Sequence, residues 1–376
     1  MSWLRLGARL VLSWLQPGQP SYLVYFVTAA CNARCEMCFY WQEMESAATR
    51  KELTPEETRR IAEHLPRLIQ LTLSGGEPFL RQELVELVAP LLEKTRPIFL
   101  SIPTNGILTE RIVQAAETLA ARYPWLRLNM ELSVDGLGEI HDRLRGRAGT
   151  FADLVRTWAE LKALQPRLPN LRLGVLTVLS GLNQDKIFDT LKYIRSELKP
   201  DRMEVMYARG KMRNPAAAKV AIEKFREVCR WLEKERGRPS SLVDRMREEL
   251  GREKRSLIIE TVSRNTMVMP CLAGRKLLVM DPEGKVRPCE MLESLSASES
   301  QNSNLKAQSK QQAKWLLGEL RESEYDLGKI LQSDQAQKLL GFIERSSCHC
   351  SYECAALADL AFSPGSMLGI LLKAWF

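Results

Sequence analysis

What is missing from the 376-residue sequence narrows it before any motif does. Neither of its two greasy stretches, Trp3 to Leu15 and Met367 to Phe376, reaches the about 20 apolar residues that a membrane-crossing helix needs. A credible secretion signal is also lacking. Thr28-Ala29-Ala30-Cys31 has the form of a lipoprotein cleavage site, but Pro17-Gly18-Gln19-Pro20 splits the apolar run ahead of it. Nine cysteines without an export signal make a disulfide framework unexpected and metal or redox use expected. No base-stacking aromatics interleave the charged runs, such as Asp244 to Glu249 and Arg252 to Arg255, so much of the net charge of +8 reads as solvated helix faces. Nucleic acid is therefore not an expected partner. A composition 45% hydrophobic and 27% charged fits one barrel-sized domain plus a smaller one.

Eight of the nine cysteines fall in two groups. The ninth, Cys229, lies in a helical stretch and reads as a small buried hydrophobe. In the first group, Cys31, Cys35 and Cys38 stand at spacings of four and three. Thiolates that close in sequence bind one soft metal centre together, and three of them leave a four-site cluster one ligand short. Zinc knuckles use similar spacings, so the triplet alone leaves both readings open.

Trp3 to Leu15 places Arg5, Arg9 and Ser13 four residues apart, a narrow stripe on one helix. That helix is either an interfacial one or a lid on the protein's own core. Tyr22 to Thr28 then reads as a buried strand with the cysteine loop at its carboxyl end. Thr54-Pro55-Glu56-Glu57 is a capping box that starts a helix. Further strands are expected at Ile69 to Ser74, Pro97 to Ile102, Leu126 to Val134, Leu171 to Leu179 and Met203 to Ala208, with helices between them. Six such units imply a parallel sheet, either doubly wound or a partial barrel.

The fourth strand decides between these. Asn129, Glu131, Ser133 and Asp135 share one parity and Leu128, Met130, Leu132 and Val134 the other, so one face is polar. A doubly wound strand is apolar on both faces. A partial (β/α)6 TIM-like barrel with a polar lumen is the expectation, and parity names Glu131, Tyr207 and Arg209 as substrate-contact residues. Reactive groups belong on the loops at the carboxyl ends of the strands. Gly75-Gly76-Glu77-Pro78 follows the second strand and so shares the rim with the cysteine loop.

The cysteine triplet, followed after the second strand by Gly75-Gly76-Glu77-Pro78, resembles the radical S-adenosylmethionine (SAM) superfamily. The resemblance implies that Cys31, Cys35 and Cys38 hold a 4Fe-4S cluster and that the Gly-Gly-Glu-Pro segment binds the SAM amino group. Ser133-Val134-Asp135-Gly136, with His141-Asp142 and Arg145-Gly146, resembles the segment that contacts ribose and the methionine carboxylate. Val178 to Asn183 resembles the segment that packs on adenine. The implied cofactor-binding set is Met37, Tyr40, Gly75, Gly76, Glu77, Pro78, Asn105, Ser133, Asp135, Arg145 and Val178. Met37 departs from the aromatic many members carry before the third cysteine, with Phe39, Tyr40 and Trp41 following at once.

Beyond Ala208 the chain turns charged and helical. Cys271 and Cys289 flank a hairpin turning at Asp281-Pro282-Glu283-Gly284, a stretch rich in Ser, Gln and Asn (Ser294 to Gln312) reads as a mobile loop, and Cys348, Cys350 and Cys354 follow. This resembles the SPASM extension or its shortened twitch form, a smaller α+β domain that holds auxiliary iron-sulfur clusters. Five thiolates suffice for one fully ligated auxiliary 4Fe-4S cluster. A structural zinc site, with His349 as a ligand, is the alternative. The expected organisation is an amphipathic helix at 1–20, the barrel at 21–210, a helical bridge at 211–262, the auxiliary domain at 263–362 and an apolar tail at 363–376.

The resemblance implies an enzyme that reductively cleaves SAM to a 5′-deoxyadenosyl radical, which abstracts hydrogen from a substrate. A small electron-donor protein, flavodoxin or ferredoxin, is the implied partner. The greasy ends favour a hydrophobic or lipid-like substrate, with peptide or protein maturation as the alternative and a non-catalytic iron-sulfur or zinc-binding regulator as a remote one. A cytoplasmic location is expected, the ends either touching the inner membrane face or packing on the barrel.

Overall fold

The computed structural model describes residues 3–235, 241–292, 315–345 and 348–375, with the side chain of Trp3 excepted. The stretch Ser294 to Gln312 lies outside them. The chain divides into two compact units. A barrel unit comprises Val24–Ala221 with Asp281–Gly284, and a second unit comprises Met1–Leu23, Ile222–Met280 and Lys285–Phe376.

Six strands make the barrel sheet: β1 (Tyr22–Thr28), β2 (Gln70–Gly75), β3 (Phe99–Thr104), β4 (Arg127–Ser133), β5 (Leu171–Leu179) and β6 (Arg202–Tyr207). They lie in the order β6-β5-β4-β3-β2-β1, and every pair from β2 to β6 is parallel. The sheet is not closed, which makes the unit a partial barrel. Helices Pro55–Glu63, Leu84–Thr95, Thr109–Arg122, Thr150–Leu164 and Ile187–Tyr193 fall between the strands. The first starts where its sequence predicts. Thr54 Oγ1 accepts from Glu57 N at 3.2 Å, and Glu57 accepts from Thr54 N at 2.9 Å.

The polar and apolar parities hold. Leu128, Met130 and Leu132 of β4 and Leu71 and Leu73 of β2 are fully buried, whereas Glu131, Ser133, Gln70, Thr72 and Ser74 are half-buried. Side chains of the polar parity find one another across strands. Gln70 donates to Thr72 Oγ1 and Ser101 Oγ at 3.2 Å, and Asn129 donates to Ser101 Oγ at 3.3 Å. Two short helices of the barrel unit are new: Trp41–Glu45, and Glu139–Arg145, bracketed by Gly138 (φ +51°) and Gly146 (φ +66°).

In the second unit, β7 (Leu277–Met280), β8 (Lys285–Arg287) and β9 (Gly318–Glu319) form an antiparallel run, the hairpin that the sequence predicts plus one short strand. Around it lie helices Ile222–Lys234, Leu242–Arg264, Asp334–Arg345, Glu353–Ala361 and Pro364–Trp375. The helix Trp3–Leu15 also belongs here. The buried Lys276 ammonium holds its end, donating to the carbonyls of Ser13 (2.5 Å) in the last turn and of Gln16 (2.7 Å) and Gln19 (3.1 Å) just beyond it.

Candidate active site and thiol centres

The cysteine loop leaves β1 and is clamped by backbone from three other strand ends. From β2, Gly76 N donates to Thr28 O (2.9 Å) and Glu77 N to Ala30 O (2.8 Å). The approach is so close that a Cβ on Gly75 would sit 2.2 Å from Thr28 O, and one on Gly76 2.0 Å from Ala30 O. These glycines therefore serve the root of the cysteine loop directly. From the segment after β4, Arg34 N donates to Arg145 O and Glu36 N to Leu144 O. From the segment after β6, Arg213 N donates to Cys38 O and Asn214 N to Glu36 O. The loop's shape is thus fixed by the protein itself.

Two polar networks converge on it. Glu77 is buried and its carboxylate accepts from Thr104 Oγ1 (2.7 Å), Asn105 N (2.9 Å) and Phe79 N (3.3 Å). Burial pushes its carboxyl up to about 7, with those donors and Arg145 opposing. Asn105 passes the link on, donating through Nδ2 to Asn32 Oδ1 at 2.7 Å within the cysteine loop. On the other side, buried Asp135 pairs with Arg145 at 2.5 Å and accepts from Val178 N at 2.7 Å. Arg145 also donates to Cys35 Sγ at 3.6 Å. The structure thus brings together Cys35, Glu77, Asn105, Asp135, Arg145 and Val178, which lie far apart in sequence.

The other expected residues surround these. Pro78 is buried and opens a short turn, Met37 is buried, and Ser133 ends β4 half-buried. The Tyr40 ring packs 4.8 Å from Phe26. Its neighbours face cations, Arg209 over Phe39 at 5.3 Å and Arg213 over Trp41 at 5.6 Å. Cys38 Sγ donates to Met44 Sδ at 3.8 Å.

The residues present fit a thiolate-bound cluster. All three cysteines are free and half-buried. Burial pushes the thiols of Cys31 and Cys38 up to about 12 and about 11, with neighbouring acidic groups adding to it, so a cationic centre would be needed to hold them as thiolates. The Arg213 and Arg145 guanidinium groups oppose that rise at Cys38. Two buried donors beside the loop, Asn32 Nδ2 and Arg145 Nε, have no hydrogen-bond partner among the described residues. Such groups suit a polar ligand.

Of the lumen residues, Glu131 lies where parity puts it, its Cγ 3.3 Å from where a Cβ on Gly174 would sit. Tyr207 does not share that face. It is in register with Leu179 on the side of the apolar parity, and its hydroxyl donates to Val220 O at 2.7 Å. Register instead gives β6's lumen face to Arg202, Glu204 and Met206, and Arg202 pairs with the buried Glu204 at 2.7 Å. The strand starts at Arg202, one residue before the expected Met203, and the alternation of Arg202 and Glu204 marks its polar side.

In the second unit, Cys271, Cys289, Cys348 and Cys350 line one cavity with His349, Tyr352 and Asp359. Burial and mutual proximity push the thiols of Cys271, Cys289 and Cys348 upward, and burial pushes Asp359 up to about 7. Cys354 is outside that lining, its Sγ accepting from Tyr22 OH at 3.2 Å. His349 Nε2 stands 3.3 Å from Asn265 Oδ1. Among the described residues, no group of three or more His, Cys, Asp or Glu side chains is arranged to hold a single metal ion. Four gathered thiols match the ligand count of a complete cubane.

An open parallel half-barrel with a clamped three-thiol loop at its rim defines a class of cluster-binding α/β protein. The profile of the Radical SAM superfamily matches residues 25–194. That stretch, just under half of the chain, is similar to the Radical SAM superfamily, whose members use a 4Fe-4S cluster and SAM. It is 32% identical over 169 residues to a probable GTP 3′,8-cyclase of Thermococcus kodakarensis, a match over 44% of this chain and 50% of that protein. It therefore spans only half the length of that relative. It is 28% identical over 293 residues to PqqA peptide cyclase of Rhodopseudomonas palustris, 74% of this chain and 69% of that one. Among solved structures, Streptococcus suis SuiB bound to its precursor peptide SuiA superposes with a TM-score of 0.58 at 15% identity, over 91% of this chain and 70% of SuiB. That likeness concerns the fold.

Proposed function

We propose that the chain is a radical SAM enzyme that modifies a peptide side chain, acting in the cytoplasm with a flavodoxin- or ferredoxin-like electron donor. The observation that carries the chemistry is the convergence of Glu77, Asn105, Asp135 and Arg145 on a loop presenting Cys31, Cys35 and Cys38. These cysteines would hold the 4Fe-4S cluster, with Met37, Tyr40, Gly75, Gly76, Pro78, Ser133 and Val178 around the SAM it binds. Bound there, cluster and SAM supply one-electron reductive cleavage of a sulfonium carbon–sulfur bond and abstraction of a hydrogen atom. The protein's own work is positional. Backbone from three strand ends fixes the loop, Arg145 offsets negative charge at Cys35, and the buried Met37 and Tyr40–Phe26 packing limit water on one side. Glu131 and Glu204, on the lumen face, are the residues proposed to orient the substrate.

The peptide class rests on the PqqA peptide cyclase match, which extends well beyond the barrel. Cys271, Cys289, Cys348 and Cys350 would hold an auxiliary cluster. A lipid-like substrate is the second reading, favoured by the exposed apolar helices of the second unit. Anaerobic reconstitution with reductant and SAM, followed by chromatography for 5′-deoxyadenosine, tests the chemistry. Deuterium transferred into 5′-deoxyadenosine from a deuterated peptide library supports the peptide class. Transfer from deuterated lipid instead would replace it, and no deoxyadenosine at all would return the chain to a non-catalytic role.

A further inference from the structure

Among the described residues, every large apolar side chain that stands exposed lies on one of two helices of the second unit. On Trp3–Leu15 these are Leu4 (80% exposed), Val11, Leu12 and Leu15 (73%), and on Pro364–Trp375 they are Leu368, Leu372 and Trp375 (66%). Each helix already buries a first face. Leu6, Leu10 and Ser13 are buried on one, and Met367, Ile370 and Ala374 on the other. An ordinary surface helix turns charged residues outward once its core face is satisfied. These turn out leucine, valine and tryptophan. A single exposed leucine is commonplace, but seven large side chains confined to two helices mark a contact surface.

The charge on these helices has one sign. No Asp or Glu precedes Glu36, and Pro364–Trp375 has none; Arg5, Arg9 and Lys373 are the charged residues, Lys373 also pairing with Glu253 of the helix Leu242–Arg264 at 2.7 Å. Neither helix crosses a bilayer, since no single described helix is long and apolar enough. The bent pair Glu353–Ala361 and Pro364–Trp375 would pass together, but their axes differ by 86° and the first is buried along most of its length. The helix Trp3–Leu15 is also held in place, its carboxyl end fixed by Lys276.

We infer that the outer faces of these two helices seat the chain on an anionic lipid bilayer, each helix lying in the interfacial plane with Leu4, Val11, Leu12, Leu15, Leu368, Leu372 and Trp375 inserted. Helices with basic residues beside an apolar face, too short to span, bind such surfaces through buried apolar area plus attraction to anionic headgroups. A second copy fits less well, because it brings the same basic helices on a chain of net charge +8. The inference does not depend on the radical chemistry.

The test is co-sedimentation of the full chain with vesicles of phosphatidylglycerol and phosphatidylethanolamine, and with vesicles of phosphatidylcholine alone. Binding to the anionic vesicles is expected, reduced severalfold on the neutral ones and in high salt. Leu12→Glu/Leu15→Glu and Leu368→Glu/Leu372→Glu are each expected to weaken it by about tenfold or more. All four leucines are at least half exposed, so circular dichroism should be unchanged. If a glutamate pair misfolds, Leu15→Ser and Leu368→Ser give the same reading at smaller amplitude. Equal binding to neutral vesicles, undiminished binding by the variants, or a dimer that the variants dissolve in the absence of vesicle binding would each overturn the inference.

Discussion

Removing the Arg145 guanidinium probes the joint between the cysteine loop and the barrel. Asp135 is 1% exposed, and its ion pair with Arg145 spans 2.5 Å. Arg145→Met leaves a buried carboxylate with only Val178 N as its described backbone donor. Breaking a buried pair from one side costs about 3–5 kcal/mol, because the abandoned charge stays desolvated. Global denaturation of a chain with two compact units is not one two-state transition, so the readout should be local. Hydrogen exchange monitored by mass spectrometry should show opening around β5 and residues 135–146 increased by about a hundredfold to several thousandfold, at 1.4 kcal/mol per decade and capped by global unfolding. Asp135→Asn should do comparable damage. The double variant should recover much of it, giving a coupling of about 2 kcal/mol in the cycle, little changed by salt. Additive single effects, with coupling under about 0.5 kcal/mol, would refute the claim that the pair acts as a unit.

Three further perturbations address other joints. Gly76→Ala places a Cβ 2.0 Å from Ala30 O and should cost about 1–3 kcal/mol, seen as faster hydrogen exchange over residues 28–38 of the cluster-free protein and as weakened SAM binding in equilibrium dialysis. Cys354→Ala should leave the iron content of the second unit intact while Cys289→Ala empties it, because only Cys289 lines the cavity with the other thiols. Lys276→Met removes three charge-assisted hydrogen bonds, so exchange over residues 4–15 should rise at least about tenfold while β2 to β6 keep their protection.

Much of the barrel was legible because its signals are local. The alternation of Leu128, Met130 and Leu132 with Asn129, Glu131 and Ser133 reports a two-faced strand without reference to any neighbour. The Thr54 capping box likewise contains both of its partners. Tyr207 went astray for the opposite reason. Its face is set by pairing with Leu179, and a strand expected to start at Met203 leaves out Arg202, which with Glu204 marks the opposite, polar side. The helix Glu139–Arg145 has no local sequence signal, because it is seven residues long and enters through a glycine with no side-chain cap. Which thiols gather in the second unit was beyond sequence spacing, since the helix Glu353–Ala361 carries Cys354 toward Tyr22, hundreds of residues away.

The central claim, that Cys31, Cys35 and Cys38 hold a SAM-cleaving cluster beside a separate four-thiol centre, is tested most directly by counting iron in the anaerobically reconstituted chain and in its Cys31→Ala/Cys35→Ala/Cys38→Ala variant while measuring 5′-deoxyadenosine from both. Two four-iron centres predict about eight irons per chain and SAM cleavage in the parent. In the variant they predict about four irons and no deoxyadenosine. Deoxyadenosine persisting without the three cysteines, or a variant that keeps all of the parent's iron, would contradict the account.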